Sequence, residues 1–186
     1  FFDNFNKKWI KIKSFKYFNE IILASIIWLA FFLRTRNLSK LGGKYLVGLD
    51  PYLYLRQARE ILGGNLPVVD YMRNPPIGVV NSFDLFPYIL AYWAKFLSLF
   101  GVSQELAHII YPPVAMGISL VFFYLFVKTI SSTRVALIAS LFLAVIPGYI
   151  FRNLAGFADH EAVAMIFMFA SLWLFAVGES ETKLRK

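Results

Sequence analysis

Long apolar stretches with almost no charged residues set the strongest limit on how this chain can fold. A membrane-spanning helix needs about 20 mainly apolar residues, with a tolerated range of about 17 to 25. Five stretches approach that length: residues 18–33, 85–100, 106–130, 135–150 and 162–177. The 186 residues are 59% hydrophobic and only 16% charged, whereas soluble domains carry about 25% charged residues. The composition therefore predicts an all-α, multi-pass transmembrane helical bundle.

The second stretch, residues 85–100, differs from the other four. It is short, it has Lys95 near its middle, and it is rich in aromatic side chains (Phe86, Tyr88, Tyr92, Trp93 and Phe96). Aromatic residues around a lysine are typical of a helix that lies in the membrane interface. We therefore expect an interfacial helix there and about four membrane spans. The predicted spans are approximately residues 18–34, 106–130, 133–150 and 161–178.

Basic residues predict the orientation of the chain. Lysines precede the first span at Lys7, Lys8, Lys11, Lys13 and Lys16. Cytoplasmic flanks are enriched in Lys and Arg, so the N-terminus is predicted to be cytoplasmic in a cell membrane. With four crossings, Lys128, Arg134 and the basic tail 183–186 are also cytoplasmic, and Asp50 and Asp159 are both external. With five crossings the two aspartates would face opposite compartments, so four crossings are preferred.

The predicted external loop 35–105 contains elements of its own. Asp50 is a candidate N-cap, and Pro51 suits the first turn of a helix near 51–62 that ends at Gly63. The segment 70–78 is predicted to be extended because of its two prolines. A second helix is expected near 85–100. Several basic residues lie at or in this loop (Arg34, Arg36, Lys40, Lys44, Arg56, Arg59 and Arg73), but the orientation rule weakens over long loops.

Composition also excludes some kinds of site and partner. The chain has no cysteine, so it forms neither disulfides nor a thiolate metal site. Its net charge of +8 would suggest nucleic acid in a soluble protein. Basic flanks of membrane spans explain the charge here, so no nucleic-acid partner is predicted.

Acidic residues beside the predicted spans are the candidates for chemistry. Acidic groups near membrane spans tend to serve ions, substrates or proton paths. Asp159 and Glu161 stand two residues apart and can both reach one cation, and Asp50 would add a third oxygen ligand. Mg²⁺ and Mn²⁺ prefer such oxygens and often bridge to phosphates. The alternative for each aspartate is a helix N-cap, and the two roles are compatible.

Two histidines and one arginine have open roles. His160 is either a further ligand or an interface residue, and His108 is interpreted as structural. The metalloprotease pattern HExxH is absent, since Ala164 stands at the second histidine position. Arg152 either extends to lipid headgroups or holds a phosphate or the acidic cluster. Its position near Asp159 favours the second role.

Three segments together resemble the catalytic subunit of oligosaccharyltransferases. They are GLDPYLYLRQAREIL around Asp50, DYMRNPPIG from Asp70, and RNLAGFADHE from Arg152 into Glu161. The resemblance covers nearly the whole chain, but only the first third or less of such an enzyme. The order and spacing of the segments carry the resemblance more than any single motif does.

The resemblance implies a type C glycosyltransferase-like fold and protein N-glycosylation. The enzyme would transfer an oligosaccharide from a polyprenyl phosphate or diphosphate lipid to the Asn of Asn-x-Ser/Thr in an acceptor polypeptide. It also implies an Mn²⁺ or Mg²⁺ site held by Asp50, Asp159 and Glu161, with His160 as a further candidate ligand. Arg152 matches an arginine just upstream of the second-loop motif, which completes the implied catalytic set.

The resemblance further implies that residues 1–186 are the N-terminal part of a transmembrane catalytic domain. Its relatives would be single-subunit enzymes of the archaeal or bacterial type. A later acidic loop and a C-terminal soluble domain, which the family needs, would be missing. We therefore expect the isolated fragment to be inactive.

Two other functions stay open at this point. Another type C glycosyltransferase, using a lipid-phosphate sugar donor, would tend to have an adjacent Asp-Glu pair in the first external loop, where this chain has Asp50-Pro51. A transporter or membrane scaffold is the other alternative. Transporters tend to place charges within broken spans, whereas Asp50 and Asp159 flank the predicted spans.

Overall fold

The structure is a computed structural model that describes residues 17–81 and 84–184, with side chains described as far as residue 180. The chain is mainly helical, with one short antiparallel hairpin. In chain order the elements are α1 (Phe18–Thr35), α2 (Leu38–Leu41), α3 (Asp50–Leu62), β1 (Val69–Asp70), β2 (Val79–Val80), α4 (Leu85–Ser98), α5 (Gln104–Ile130), α6 (Thr133–Val145), α7 (Pro147–Arg152) and α8 (Glu161–Leu184).

Within the described residues, three helical segments are long and apolar enough to cross a membrane. They are Phe18–Leu41, Gln104–Ile130 and Glu161–Ser180. This confirms the predicted all-α, multi-pass membrane class. The lysines before residue 17 and the tail at 185–186 lie outside the described residues, so the orientation inferred from them stays a prediction.

The predicted span 133–150 is not one helix. The chain forms the 13-residue helix α6, then an extended residue at Ile146 (φ −61°, ψ 122°), then the short helix α7. Pro147 causes the break, because it has no N–H for the helix ladder and its ring disfavours a helical conformation at Ile146. The sequence contained this signal, but the apolar run across the proline concealed it.

Pro112 and Pro113 lie inside α5, and the helix continues through both. Proline lacks the N–H that would bond the carbonyl four residues earlier. The carbonyl of Ile109, four residues before Pro113, accepts instead from the backbone N–H of Gly156 at 2.9 Å. The Ile109 carbonyl, which Pro113 leaves without a donor in the helix, therefore bonds the loop between α7 and α8.

A core of small and aliphatic side chains holds α1, α5 and α6 together. Its buried members are Ile26, Ala30, Met116, Leu120, Tyr124, Ala136, Leu137 and Ala144. Helix α8 packs along α5 through aromatic pairs such as Phe123 and Phe169, whose ring centroids are 5.0 Å apart. Apolar contacts thus hold the long helices together, with a few buried polar side chains such as Arg34 and His108 among them.

The first loop forms a compact layer on one end of the long helices. Helix α3 begins at Asp50 and ends before Gly63, close to the predicted 51–62, and α4 matches the predicted second helix. A buried cluster joins α3, α4, α5 and the start of α8: Ala58, Phe86, Leu90, Ala91, Tyr111, Ala115, Ala158 and Ala162. Lys95 is on the exposed face of α4. The interfacial position of α4 stays a prediction.

The segment predicted to be extended differs from that expectation. Residues 71–77 form the turn that joins β1 to β2, in which Val69 pairs with Val80. The hairpin is attached to α3 by Arg56, which donates to the carboxylate of the buried Asp70. A carboxylate accepts hydrogen bonds best when ionised, so this bond and the backbone N–H of Met72 lower the pKa of Asp70.

Candidate functional site

The loop between α7 and α8 is bonded to three separate parts of the chain. The backbone N–H of Ala155 donates to the carbonyl of Arg34 at 2.9 Å, and that of Gly156 donates to Ile109 at 2.9 Å. In turn, the N–H of Val47 donates to the carbonyl of Gly156 at 2.8 Å. These bonds hold the loop 153–160 against the segment that leads into α3.

Two glycines allow this close approach. Gly156 has φ +90°, and a Cβ on it would lie 2.9 Å from Leu41 Cδ1 and 3.2 Å from Val47 Cγ2. Gly48 has φ +95°, and a Cβ there would lie 3.6 Å from the ring of Phe157. The residues just before Asp50 and just before Asp159 are therefore in contact, so the structure brings the two acidic loops to the same end of the long helices.

Asp50 is exposed at the start of α3 and does not act as the predicted N-cap. The cap position is Leu49, and no side chain caps the helix. In the described part of the chain, the Asp50 carboxylate has no hydrogen bond or ion pair. It lies in the first helical turn, where the positive end of the helix dipole favours a negative charge. Its oxygens are thus available to a ligand.

Asp159 is buried, with 5% of its surface exposed. Its Oδ1 accepts from the backbone N–H of His160 at 2.7 Å, and the ring nitrogen Nδ1 of His160 lies 2.6 Å from the same oxygen. An N-cap would accept from the second or third residue of the helix. The structure shows no such bond to Asp159, so the capping interpretation of this residue is also wrong.

Glu161 and Arg152 form an ion pair. Arg152 Nη1 lies 2.8 Å from Glu161 Oε1, and the guanidinium also lies 5.7 Å from the ring centroid of Phe157. The second oxygen, Glu161 Oε2, is buried and has no hydrogen-bond partner among the described residues. Arg152 therefore contacts the acidic loop as sequence reasoning favoured, and Glu161 keeps one oxygen uncommitted.

The histidines occupy different environments. His160 is exposed, while its ring edge approaches Phe86 with ring centroids 6.5 Å apart. His108 is fully buried in α5, and its Nδ1 lies 2.8 Å from the carbonyl of Gln104. The structural interpretation of His108 fits this placement.

Tyr54, which sequence reasoning missed, reports on the electrostatics of the site. Burial and, to a smaller extent, four carboxylates together raise its pKa to about 12; the carboxylates are Asp159, Asp84, Asp50 and Glu161. A neighbouring negative charge disfavours the phenolate. All four carboxylates therefore lie within electrostatic range of one tyrosine on α3, and its hydroxyl stays a hydrogen-bond donor at neutral pH.

Asp84 is the acidic residue that the sequence interpretation did not select. It is exposed, and its Oδ1 accepts from the backbone N–H of Phe86 at 3.0 Å, which makes it the N-cap of α4. The ring of Phe86 packs edge-on against Tyr54 with centroids 4.7 Å apart. An aspartate directly before a proline-containing apolar run is a visible capping signal, but its effect on Tyr54 together with Asp159 depends on tertiary packing.

The fit of a divalent cation rests on the donor atoms. Asp50, Asp159 and Glu161 offer hard carboxylate oxygens, which suit Mg²⁺ or Mn²⁺. The buried and unpaired Glu161 Oε2 is the kind of atom that a cation would satisfy. Among the described side chains, no three of His, Asp or Glu are already gathered closely enough to hold a metal ion. The chemistry of these residues fits a cation, and the ligand set stays a prediction.

The fold and the paired acidic loops define a class of protein: a multi-pass helical membrane protein with its polar groups gathered at one end. The family described as "Oligosaccharyl transferase STT3, N-terminal" matches residues 18–183. The chain belongs to this family. The match covers all ten helices and strands described above except the last residue of α8, and it confirms the family resemblance inferred from the motifs.

Curated relatives carry corresponding names. Dolichyl-phosphooligosaccharide-protein glycotransferase 2 of Archaeoglobus fulgidus is 29% identical over 158 residues, which are 82% of this chain and 26% of the relative. The protein of the same name from Pyrococcus furiosus is 32% identical over 140 residues, 73% of this chain and 19% of the relative. The STT3B subunit of Arabidopsis thaliana is 34% identical over 106 residues, 54% of this chain and 14% of the relative. The chain spans about a quarter or less of the length of these proteins.

A solved structure has the same fold. The crystal structure of the Archaeoglobus fulgidus oligosaccharyltransferase, a complex with Zn and sulfate, aligns with a TM-score of 0.68 at 22% identity. The alignment covers 84% of this chain and 21% of that one. At this identity the likeness shows the fold alone.

Proposed function

We propose that this chain is the N-terminal part of a membrane-embedded glycosyltransferase for protein N-glycosylation. The enzyme transfers an oligosaccharide from a polyprenyl phosphate or diphosphate lipid to the Asn of Asn-x-Ser/Thr in an acceptor polypeptide. Family membership over residues 18–183 supports the class of reaction. The observation that carries the site is the contact between the two acidic loops, at the bond from Val47 to Gly156.

Asp50, Asp159 and Glu161 are proposed to hold Mn²⁺ or Mg²⁺, with His160 as a further candidate ligand. Asp50 is exposed and makes no hydrogen bond or ion pair within the described residues, so its side chain can turn toward a cation without breaking a contact. A bound cation would supply Lewis-acid chemistry by offsetting negative charge on the phosphate leaving group. The Zn in the related crystal structure belongs to that protein and does not identify the ion bound here.

The remaining residues of the site have proposed roles that need no metal. Arg152 holds Glu161 through their ion pair and presents a second guanidinium edge, which suits a phosphate group. Tyr54 stays protonated beside the four carboxylates and can donate a hydrogen bond to an acceptor amide or a sugar. The apolar helices give the polyprenyl tail and membrane lipids a matching surface. We place this end of the protein on the external face of a cell membrane, with the N-terminus cytoplasmic.

Asp50→Ala and Asp159→Ala in the full-length enzyme test the site. We expect each change to lower glycan transfer to an acceptor peptide by at least about 100-fold, since mutation of a key electrostatic group in an active site costs about that much. Glu20→Ala on α1 is a matched control, because it removes an exposed carboxylate far along the sequence from both loops. Transfer is measured over a titration of Mn²⁺ and Mg²⁺, with monophosphate and diphosphate donors in separate series. Unchanged rates in both aspartate variants would refute the site.

Isolated residues 1–186 are proposed to be inactive. The relatives are about four or more times longer than the matched region, and the resemblance implies that further essential groups lie in the remainder. The same transfer assay on the purified 186-residue chain is expected to give no glycopeptide above background. Turnover by this chain would show that the active site has been misassigned.

A further inference from the structure

Arg34 is a buried charge that the sequence interpretation assigned to the edge of a loop. It lies in the last turn of α1 and is 0% exposed. It has no ion pair with any carboxylate in the described parts of the chain. Burying a charged group without a counter-ion is costly unless hydrogen bonds replace its water. The contacts that Arg34 does make therefore indicate what it does.

The guanidinium joins the ends of two helices. Nη1 donates to the carbonyl of Ala30 in its own helix at 3.1 Å and to the carbonyl of Ala144 in α6 at 2.9 Å. The last four carbonyls of a helix have no intrahelical donor, and Pro147 stops the chain from extending α6. Arg34 thus supplies a donor where the broken helix lacks one, and its charge lies at the negative ends of two helix dipoles.

The same residue also anchors the acidic loop. The backbone carbonyl of Arg34 accepts from the N–H of Ala155, and Asn37 Nδ2 donates to the carbonyl of Ala155 at 2.8 Å. The guanidinium lies 5.3 Å from the ring centroid of Tyr149 in α7. Arg34 therefore contacts the chain before α7, within α7 and after it, just ahead of the residues that end in Asp159.

We propose that Arg34 is a positioning residue: its side chain fixes the break between α6 and α7 and so sets where the loop 153–160 meets the first loop. The effect of Arg34 on catalysis rests on the proposed function, whereas the effect of Arg34 on the position of the loop does not. The guanidinium holds the end of α6 at a fixed place beside α1. The backbone bonds of Ala155 and Gly156 then lock the loop, and Asp159 follows within a few residues.

Two nitrogen atoms of Arg34 have no hydrogen-bond partner in the described part of the chain, and this lets an experiment distinguish a positioning role from a contribution to overall stability. Nε and Nη2 are buried with no hydrogen-bond partner among the described residues. An unsatisfied buried donor destabilises the fold, so removing these two groups offsets the loss of the bond to Ala144. Arg34→Met should therefore leave the thermal stability of the bundle close to that of the wild type while it loosens the loop. A residue that served only stability would change both properties together.

Hydrogen exchange of single backbone amides tests the proposal on the 186-residue chain in detergent. The probes are the amides of Val47, Ala155 and Gly156, which form the bonds of the loop. We expect Arg34→Met to speed their exchange at least about tenfold, the equilibrium value of one hydrogen bond to a charged group. Amides in the middle of α5 should keep their rates. Arg34→Lys should give an intermediate rate, because an ammonium lacks the rigid fork of guanidinium donors.

Arg36→Met is the matched control, because it removes the same charge two residues later at an exposed position. It should leave all three amides unchanged. Unchanged exchange in Arg34→Met would overturn the proposal. Uniformly faster exchange across all helices, with a lowered unfolding temperature, would also overturn it by making Arg34 a general stability residue. Faster exchange at the three amides, with full transfer activity in the full-length variant, would support the positioning role and count against the proposed acidic site.

Discussion

Gly156→Ala measures how much the contact between the two acidic loops depends on the absence of a side chain. At φ +90° an alanine pays backbone strain of about 1–3 kcal/mol. Its Cβ would also lie 2.9 Å from Leu41 Cδ1 and 3.2 Å from Val47 Cγ2. Leu41 is buried and cannot swing into solvent, so overpacking adds about 1–3 kcal/mol. The expected loss of unfolding free energy is about 2–6 kcal/mol.

Gly101→Ala separates the two contributions. Gly101 has φ +75°, and a Cβ there would meet nothing within 4 Å. This variant carries the backbone strain without the steric contact, so the difference between the two variants isolates overpacking at the loop. A difference of about 1–3 kcal/mol corresponds to about 2–12 °C in the unfolding midpoint for a chain of this size.

The assay is thermal unfolding of both variants in the same detergent, followed by circular dichroism. Gly156→Ala should unfold at a clearly lower temperature than Gly101→Ala and should also expose the amide of Val47 to faster hydrogen exchange. Equal midpoints for the two variants would refute the reasoning, because the loops would then have room for a side chain at Gly156.

Two further predictions follow from single bonds. Pro113→Ala restores an N–H that competes with Gly156 for the Ile109 carbonyl, so the Gly156 amide should undergo faster hydrogen exchange. Pro112→Ala is the control, because it restores an N–H to the His108 carbonyl. Equal effects of the two changes would contradict the interpretation. Arg56 lowers the pKa of Asp70 in the folded state. The bond between them therefore stabilises the fold above about pH 4, the ordinary aspartate range. This stabilisation is lost as the pH falls through the lower pKa of the folded state. The unfolding midpoint measured from neutral to acidic pH should therefore fall less in Asp70→Asn than in the wild type, and identical slopes would speak against that bond.

Local signals predicted the elements whose causes lie in neighbouring residues. Apolar length predicted α1, α5 and α8, because a long run without charge is stable only away from water. Asp50, Pro51 and Gly63 predicted α3 to within a residue, since Pro51 and Gly63 act on the backbone beside them. Pro147 is an equally local signal, but the apolar run continues across it, so the predicted span 133–150 is longer than α6.

The roles of single charged residues were harder to predict. Asp50 and Asp159 were both weighed as caps, and neither makes a capping bond. Arg34 was counted as a loop charge, yet it is fully buried between two helix ends. A sequence shows that a residue is charged and near a boundary, but Ala144 and Tyr149, the partners that decide the role of Arg34, are more than 100 positions away.

The sequence by itself determined that this chain is a helical membrane protein of a recognisable family, with acidic residues concentrated in two loops. Those properties depend on apolar length and on short motifs that are contiguous in the chain. Only the tertiary structure decided which groups meet. Pro113 frees a carbonyl that Gly156 takes up, Gly156 lets Val47 approach, and Tyr54 and Asp84 join the site from α3 and the start of α4. Such contacts depend on how separate helices pack, and no local pattern of residues encodes that packing.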